Sequence, residues 1–360
     1  MKFVLPFLLL LVSVASAQLE KVSVATTASL RGLSVVNENI IWASGSGGTV
    51  LRTVDAGKTW SVMTIPGAEK LDFRGIRAFD DKTAVIISSG KAEDGQARIY
   101  RTTDAGKTWT QVYEQKTPGI FFDAIAFWDP RHGIVLSDPV DNHFALFITE
   151  DGGVTWKQIP PSALPPSLPN EGGFAASNSC LTLQGEKNVW FASGGAKVAR
   201  VFRSNDRGKS WLVAETPMHP ANASSGIFSL AFRDAKNGIA VGGDYAHPES
   251  SDLPNVMRTQ DGGKSWQAAD PTKPQGIYLS SVAGLRVSVP GVRKRVMNDS
   301  GFVAVGINGV LTTDDGSRWL RISEENLNSV AANGSSGENI WAVGPKGAVI
   351  RFTIQFNFHP

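Results

Sequence analysis

Six aspartates recur in one short sequence phrase, and a recurring carboxylate can be a metal ligand, an acid catalyst or a turn residue. The phrase has a Ser or Thr, an Asp two positions later, a Gly two after that and a Trp three further on, as in RTTDAGKTW from Arg101 to Trp109. The six aspartates are Asp55, Asp104, Asp151, Asp206, Asp261 and Asp314. Metal binding or acid catalysis would need these carboxylates to converge on one point, so their role depends on the elements that carry them.

Those elements are β-strands in a repeat of about 50 residues, the period at which the phrase returns. Between two copies lie short β-type runs, such as FRGIRAF from Phe73, TAVIISSG from Thr83 and ARIYRTT from Ala97. Three strands precede each phrase and one follows it. Four strands per repeat with turns between them indicate the blade of a β-propeller.

The number of repeats predicts seven blades. Six units carry the phrase, and a remnant from Asn326 to Phe352 has three strands but no fourth. An orphan strand at Lys21–Thr27 can supply the fourth and close the ring, which removes open sheet edges. An open β-solenoid generally has much shorter repeats. We therefore expect an all-β, seven-bladed propeller with four-stranded blades, closed by the N-terminal strand joining the last blade.

In this fold the repeated phrase is a turn between the third and fourth strands. Its Asp accepts hydrogen bonds from the turn, its Gly takes a backbone conformation that other residues resist, and its Trp packs as an apolar wedge. Copies in six radial blades lie far apart around the rim. The sequence therefore predicts a structural role for the six aspartates.

Composition and the N-terminus limit the partners. The net charge is +2, which argues against a nucleic-acid partner. Lys2, the apolar run from Phe3 to Val14 and a small-residue ending form a secretory signal peptide at residues 1–17, so the mature domain would be residues 18–360. No later run approaches the ~20 apolar residues of a membrane span. We expect a secreted or periplasmic monomer in which the lone Cys180 is a buried apolar residue.

The phrase resembles the Asp-box, or BNR repeat, of sialidases and other glycoside hydrolases. Units such as Leu30 to Trp60 and GIAVGGDY from Gly238 are similar to the photosystem II stability/assembly factor-like family, over nearly the whole mature chain. The resemblance implies a seven-bladed propeller that, in photosynthetic relatives, is a chaperone-like binding scaffold for a membrane complex. The Asp-box itself indicates no particular activity.

A binding site is expected on the face opposite the repeated turns. Polar residues at the starts of the first strands, the ends of the second and the starts of the third should converge on the mouth of the central channel. The candidates are Arg31, Arg74, Arg98, Asp123, Asp138, Asn178, Arg200, Asp244 and Tyr245.

Two interpretations of these mouth residues stay open. In one, arginines and aspartates neutralise each other and hold the blades in register. In the other, the mouth binds a ligand or an extended segment of a protein partner, with Arg31 and Arg74 recognising a carboxylate. The loop from Asp244 to Asn255 would then cover the mouth.

Enzymatic chemistry has weaker support. A sialidase needs a Tyr nucleophile with a Glu partner, and no Glu is obviously placed beside Tyr278. A two-carboxylate glycosidase could use Asp123 with Asp138 or Asp244, which sequence spacing cannot test. No zinc, phosphate-loop, dinucleotide or nucleophile-elbow motif occurs, so no cofactor or metal is expected. The sequence favours a binding or assembly scaffold for an envelope or membrane-associated partner, with a glycan-acting hydrolase or lyase as the alternative.

Overall fold

The structure, a computed structural model, is a ring of seven antiparallel sheets. It describes residues 11–220, 222–250, 254–269, 278–285, 301–314, 316–332 and 339–359, with backbone only for 11–16 and 355–359. Every sheet has four strands, as the sequence predicts. In the described residues the helices are three single 3₁₀ turns at Ala92–Asp94, Pro161–Ala163 and Pro345–Gly347. None of the described helices has the length and apolar character of a membrane span.

Each of the first six blades is built from four consecutive strands. Blade 1 contains β2 (Leu30–Val35), β3 (Ile41–Gly45), β4 (Thr49–Thr53) and β5 (Ser61–Thr64). Blade 2 contains β6 (Gly75–Ala78), β7 (Ala84–Ile87), β8 (Ala97–Thr102) and β9 (Thr110–Gln115). Blade 3 contains β10 (Phe122–Phe127), β11 (Gly133–Val140), β12 (His143–Thr149) and β13 (Lys157–Gln158).

The next three blades follow the same order. Blade 4 contains β14 (Leu181–Gln184), β15 (Asn188–Ala192), β16 (Arg200–Ser204) and β17 (Leu212–Glu215). Blade 5 contains β18 (Ser225–Phe232), β19 (Gly238–Asp244), β20 (Val256–Thr259) and β21 (Gln267–Ala268). Blade 6 contains β22 (Leu279–Gly284), β23 (Phe302–Gly306), β24 (Gly309–Thr313) and β25 (Leu320–Ser323).

Blade 7 joins the two ends of the chain. Its strands β26 (Ser329–Ala332), β27 (Ile340–Val343) and β28 (Val349–His359) come from the C-terminus, and β1 (Leu11–Val22) from the N-terminus pairs with β28. The predicted closure is confirmed, but the predicted boundaries of the closing strand, Lys21–Thr27, are wrong. Leu19 and Ala17 pack against the blade 7 core, so the apolar alternation that belongs in the sheet lies upstream of Lys21.

Apolar layers between neighbouring sheets form the core, and the repeated turns contribute to them. Trp60 of blade 1 packs edge-on against Trp341 of blade 7, with ring centroids 5.8 Å apart. Trp109 of blade 2 packs in the same way against Trp42 of blade 1, at 6.4 Å. The turns therefore hold adjacent blades together, which explains why a large aromatic residue recurs there.

In five of the repeated turns, the aspartate accepts hydrogen bonds from the turn itself. In blade 2, Asp104 Oδ1 accepts from the Thr102 hydroxyl and from the Thr108 amide, both at 2.9 Å, and Oδ2 accepts from the Thr108 hydroxyl at 2.6 Å. These bonds from Thr108 and Thr102 lower the pKa of Asp104 to about 2. The same pattern surrounds Asp55, Asp151, Asp206 and Asp261. In the sixth copy, which contains Asp314, the hydroxyl that accepts from the Gly316 amide belongs to Thr313.

Candidate functional site

A segment that we call the plug, residues 172–179, runs inside the central channel. It follows the Pro-rich excursion and leads into β14, the innermost strand of blade 4. Its backbone and side chains contact the other six blades. The contacts are Ala176 O with Arg31 (blade 1), Ala175 O with Arg74 (blade 2), the Gly173 amide with Asp138 (blade 3), the Phe174 ring with Phe228 (blade 5), the Ser177 hydroxyl with Ser280 O (blade 6), and Ser177 O with Ser329 (blade 7).

A buried ion pair attaches the plug to blade 4. Arg200 on β16 donates from Nε to Glu171 Oε1 at 2.8 Å and from Nη2 to Glu171 Oε2, while the Ser193 hydroxyl donates to Oε1 at 2.5 Å. The Glu171 side chain is fully buried. A second bond from Arg200 Nη2 reaches Pro166 O at 2.9 Å, so one guanidinium holds both the Pro-rich excursion and the start of the plug.

Above the plug lies a cavity of about 650 Å³, which we call the cup. Plug residues 173–176 form its floor, and the inner strands of the surrounding blades form its walls. Farther along the channel lie two smaller cavities, which are lined in part by the last plug residues, Asn178 and Ser179. Among the described residues, none that lines the cup lines either of those cavities, so the plug separates the cup from them.

Two arginines occupy one side of the cup. Arg31 lies in β2 and donates from Nη1 to Ala176 O at 3.0 Å, and Arg74, just before β6, donates from Nε to Asp72 Oδ2 at 2.7 Å. Burial, and then the neighbouring guanidinium of Arg74, lower the pKa of Arg31. Two cations held this close, with Asp72 as the carboxylate paired to Arg74, form a site that a bound anion would stabilise.

Next to the arginines lies a pair of carboxyl groups, Asp123 in β10 and Asp138 in β11. Asp123 is 1% exposed and its Oδ2 has no hydrogen-bond partner. Asp138 Oδ1 accepts from the Gly173 amide at 2.8 Å. Burial and the neighbouring Asp138 raise the pKa of Asp123 well above its usual value. Burial also raises the pKa of Asp138, to about 6, against the effect of the Gly173 amide.

The acid pair limits which residues the neighbouring part of the plug can contain. A Cβ on Gly173 would overlap the Asp123 carboxyl, and a Cβ on Gly172 would lie 3.0 Å from Asp138 Oδ1. Close approach of the backbone to the carboxyls therefore requires glycine at position 173 and leaves little room for a side chain at position 172.

This arrangement predicts a pH-dependent stability. The pKa of Asp138 is about 6 in the folded protein against an ordinary value of 3.8, so the folded state binds the proton more tightly than the unfolded state. The free energy of unfolding should therefore fall as pH rises from about 4 to above about 6. Asp138→Asn should flatten this slope, since it removes one carboxyl and the repulsion on Asp123. Chemical denaturation at several pH values measures it, and an identical slope in the variant would contradict the assignment.

Aromatic rings line another part of the wall of the cup. Phe174 of the plug stacks on Phe228 with ring centroids 3.9 Å apart, and Tyr278 packs edge-on against Phe228 at 4.8 Å. Burial raises the pKa of Tyr278, so its hydroxyl is neutral and unsuited to nucleophilic attack. Tyr245 and Ile307, which are 55% and 38% exposed, form an apolar rim. The cup therefore combines a charged wall with an apolar one.

Of the predicted mouth residues, Arg31, Arg74, Asp123, Asp138 and Tyr245 line the cup, and the other four do not. Arg98 lies beside Glu114 of the outer strand β9, with Nε 3.4 Å from a carboxylate oxygen. Arg200 forms the buried ion pair with Glu171 and does not reach the cup. Both begin third strands, which lie farther from the channel axis than the first two strands of each blade.

Asn178 and Asp244 are also occupied elsewhere. Asn178, near the end of the plug, exchanges hydrogen bonds through its side-chain amide with the backbone of Ile125 in β10, at 2.7 and 3.1 Å. Asp244 accepts from Asn222, Ser224 and the amides that follow it. Although partial burial opposes the effect, these bonds hold the pKa of Asp244 well below its usual value. Asp244 therefore shapes the loop that presents Tyr245.

No aspartate of the repeated turns is among the described residues that line the cup. Cys180 is fully buried. In the described part of the chain, no three His, Cys, Asp or Glu side chains come together as a metal ion would require. The absence of a cofactor stays a prediction.

Fold and site together define a seven-bladed β-propeller with a plugged channel and a charged and aromatic cup on one face. No family model and no curated protein sequence matches the chain. Several solved structures are similar to the chain in fold. "YCF48 bound to D1 peptide" is similar at 17% identity and a TM-score of 0.58, over 95% of this chain and 99% of that one.

Two further structures extend the comparison. "YCF48 from Cyanidioschyzon merolae" has 19% identity and a TM-score of 0.62, over 93% of this chain and 98% of that one. "Structure of U3-55K" has 14% identity and a TM-score of 0.60 over the same shares. At these identities the likeness shows the fold.

Proposed function

We propose that the protein is an exported binding propeller of the Asp-box type, which holds a segment of an envelope or membrane-associated protein partner in the cup and assists its assembly. The observation that carries this proposal is the cup itself. It is a pocket with two adjacent guanidinium groups on one wall and exposed Tyr245 and Ile307 at its rim. Charged anchors beside an apolar surface are the usual components of a peptide-recognition site.

The comparison with YCF48 supports this function, since that propeller was solved with a D1 peptide bound. Export is supported by the N-terminal sequence. Cleavage before Gln18 would leave Gln18–Val22 paired with Val349–Thr353, so the ring could still close after the signal peptide is removed.

A glycan-acting hydrolase or lyase is the second candidate, because the acid pair lines the cup. A two-carboxylate mechanism needs one acid and one ionised carboxylate, both facing the sugar. Asp123 is 1% exposed and lies under Gly173, and both carboxyls have raised pKa values. These features fit a ligand-binding wall better than a catalytic pair.

The test is the double variant Arg31→Gln/Arg74→Gln. Glutamine retains a hydrogen-bond donor for the plug but removes the charges, so capture of the partner should fall by at least about tenfold, as expected for loss of charged anchors. Tagged protein incubated with extract of the native compartment, followed by quantitative mass spectrometry, measures capture. A glycan-hydrolysis screen on the same samples tests the second candidate.

Arg77 provides the matched control. It is an exposed arginine in β6, three residues from Arg74, and lines the cavity beyond the plug. Arg77→Gln should capture the partner as the wild type does. Equal capture by the Arg31→Gln/Arg74→Gln variant, with its fold verified by thermal melting, would exclude the cup as the binding site.

A further inference from the structure

The cup contains a carboxyl pair that an acidic group of the ligand, bound by the two arginines, would leave without a partner in the ligand. Asp123 is almost fully buried with one unpartnered oxygen, and Asp138 beside it has its Gly173 amide as hydrogen-bond donor. The hydrogen bonds of Arg31 and Arg74 go to Ala176 O, Ala175 O and Asp72, and none of these bonds goes to the acid pair. A buried carboxyl with an unsatisfied oxygen costs free energy, and a cation bound at the half-buried Asp138 beside it would lower that cost.

We propose that the Asp123–Asp138 pair binds a basic side chain of the partner segment, while Arg31 and Arg74 bind a neighbouring acidic group. This inference rests on the proposed function and names the chemistry of the partner. The segment carries a lysine or arginine near an acidic residue, and an apolar side chain for the wall formed by Phe228 and Tyr278.

The geometry favours an organic cation over a metal ion. Calcium takes six to eight oxygen ligands, whereas this site offers two carboxyls beside two guanidinium groups. An ammonium or guanidinium group needs only an acceptor at hydrogen-bond distance, which the half-buried Asp138 provides, while Asp123 beneath Gly173 contributes its charge from behind. Plug residues 173–176 occupy the channel beneath the cup, which fits a side chain inserted from above better than a chain threaded through the ring.

The protonation of the acid pair also favours binding of a basic side chain. The groups that face it are Asp123 and Asp138 themselves, Arg74 from blade 2 and the Gly173 amide of the plug, with the buried Cys180 nearby. Burial and mutual repulsion raise the pKa values of both carboxyls and so the affinity of the free pair for a proton. A bound cation would replace this proton, so binding should release protons.

The experiment is a selection from a random heptapeptide phage library with three immobilised proteins. These are the full-length wild type, the isosteric variant Asp123→Asn/Asp138→Asn, and Arg31→Gln/Arg74→Gln. The wild type should enrich peptides that contain both a basic and an acidic residue. The Asn variant should lose the basic preference and keep the acidic one, and the Gln variant should do the reverse.

The most enriched peptide is then synthesised with its basic residue retained or replaced by norleucine. Wild type should bind the norleucine form at least about tenfold more weakly, and the Asn variant should bind both forms equally. Calorimetry at about pH 6 in buffers of different ionisation enthalpy should detect proton release with the wild type only.

The outcomes separate this inference from the proposed function. Selected peptides without a basic residue, or an Asn variant that still discriminates the norleucine form, would overturn the inference alone. A wild-type protein that enriches no peptide would overturn the proposed function and this inference with it.

Discussion

Glu171→Ala is expected to lower the free energy of unfolding by about 3–5 kcal/mol, the cost of leaving a buried arginine without its partner. The Arg200 side chain is 8% exposed, and Glu171 supplies both of its carboxylate contacts. Loss of Glu171 also frees the start of the plug, so the amides of residues 172–176 should exchange hydrogen faster. Guanidinium unfolding measures the first effect, and hydrogen-exchange mass spectrometry measures the second.

A second variant separates the charge from the packing. Glu171→Ala/Arg200→Met removes both members of the pair and should recover part of the lost stability, because no buried charge remains unpaired. Hydrogen exchange in the plug should stay fast in the double variant, since the ion pair that attaches the plug to blade 4 is still missing. If Glu171→Ala lowered the free energy of unfolding by less than about 1 kcal/mol, the ion pair would not be what holds the plug to blade 4.

The fold was predictable because its signal is repeated. Six copies of one turn phrase fix the blade period, and the apolar runs between them fix the number of strands. The exact closing strand was less predictable, since Leu11–Val22 lies partly in residues whose composition also indicates a signal peptide. A strand that pairs across more than 300 positions of sequence leaves no local pattern at its ends.

The candidate site was only half predictable, and the plug explains the difference. Arg31 and Arg74 could be placed at the mouth because they occupy equivalent positions in two repeats. The plug belongs to no repeat, and its bonds to these arginines join residues 145 and 101 positions apart. One signal was available, since Glu171, Gly172 and Gly173 close a Pro-rich stretch where an exposed loop would need neither an acid nor paired glycines. Arg200 was assigned to the mouth because its partner Glu171 could not be known.

Truncation at the N-terminus should have opposite results at two closely spaced positions. A chain without residues 1–17 keeps Gln18–Val22 paired with Val349–Thr353 and should unfold at nearly the same midpoint as the full chain. A chain without residues 1–22 loses this ladder and the packing of Leu19, which should cost roughly 3–6 kcal/mol at ~0.5–1.5 kcal/mol per hydrogen bond. Thermal melting and size-exclusion chromatography measure both effects.

The longer deletion also leaves β28 as an open sheet edge beside blade 1, and unpaired edges recruit other chains. Aggregation should therefore accompany its loss of stability. Leu19→Pro in the full chain is the matched variant, because it breaks the same ladder without shortening the chain. If the chain without residues 1–17 were as unstable as the one without 1–22, residues 11–17 would belong to the mature blade. Cleavage before Gln18, and with it the proposed export of a closed ring, would then be excluded.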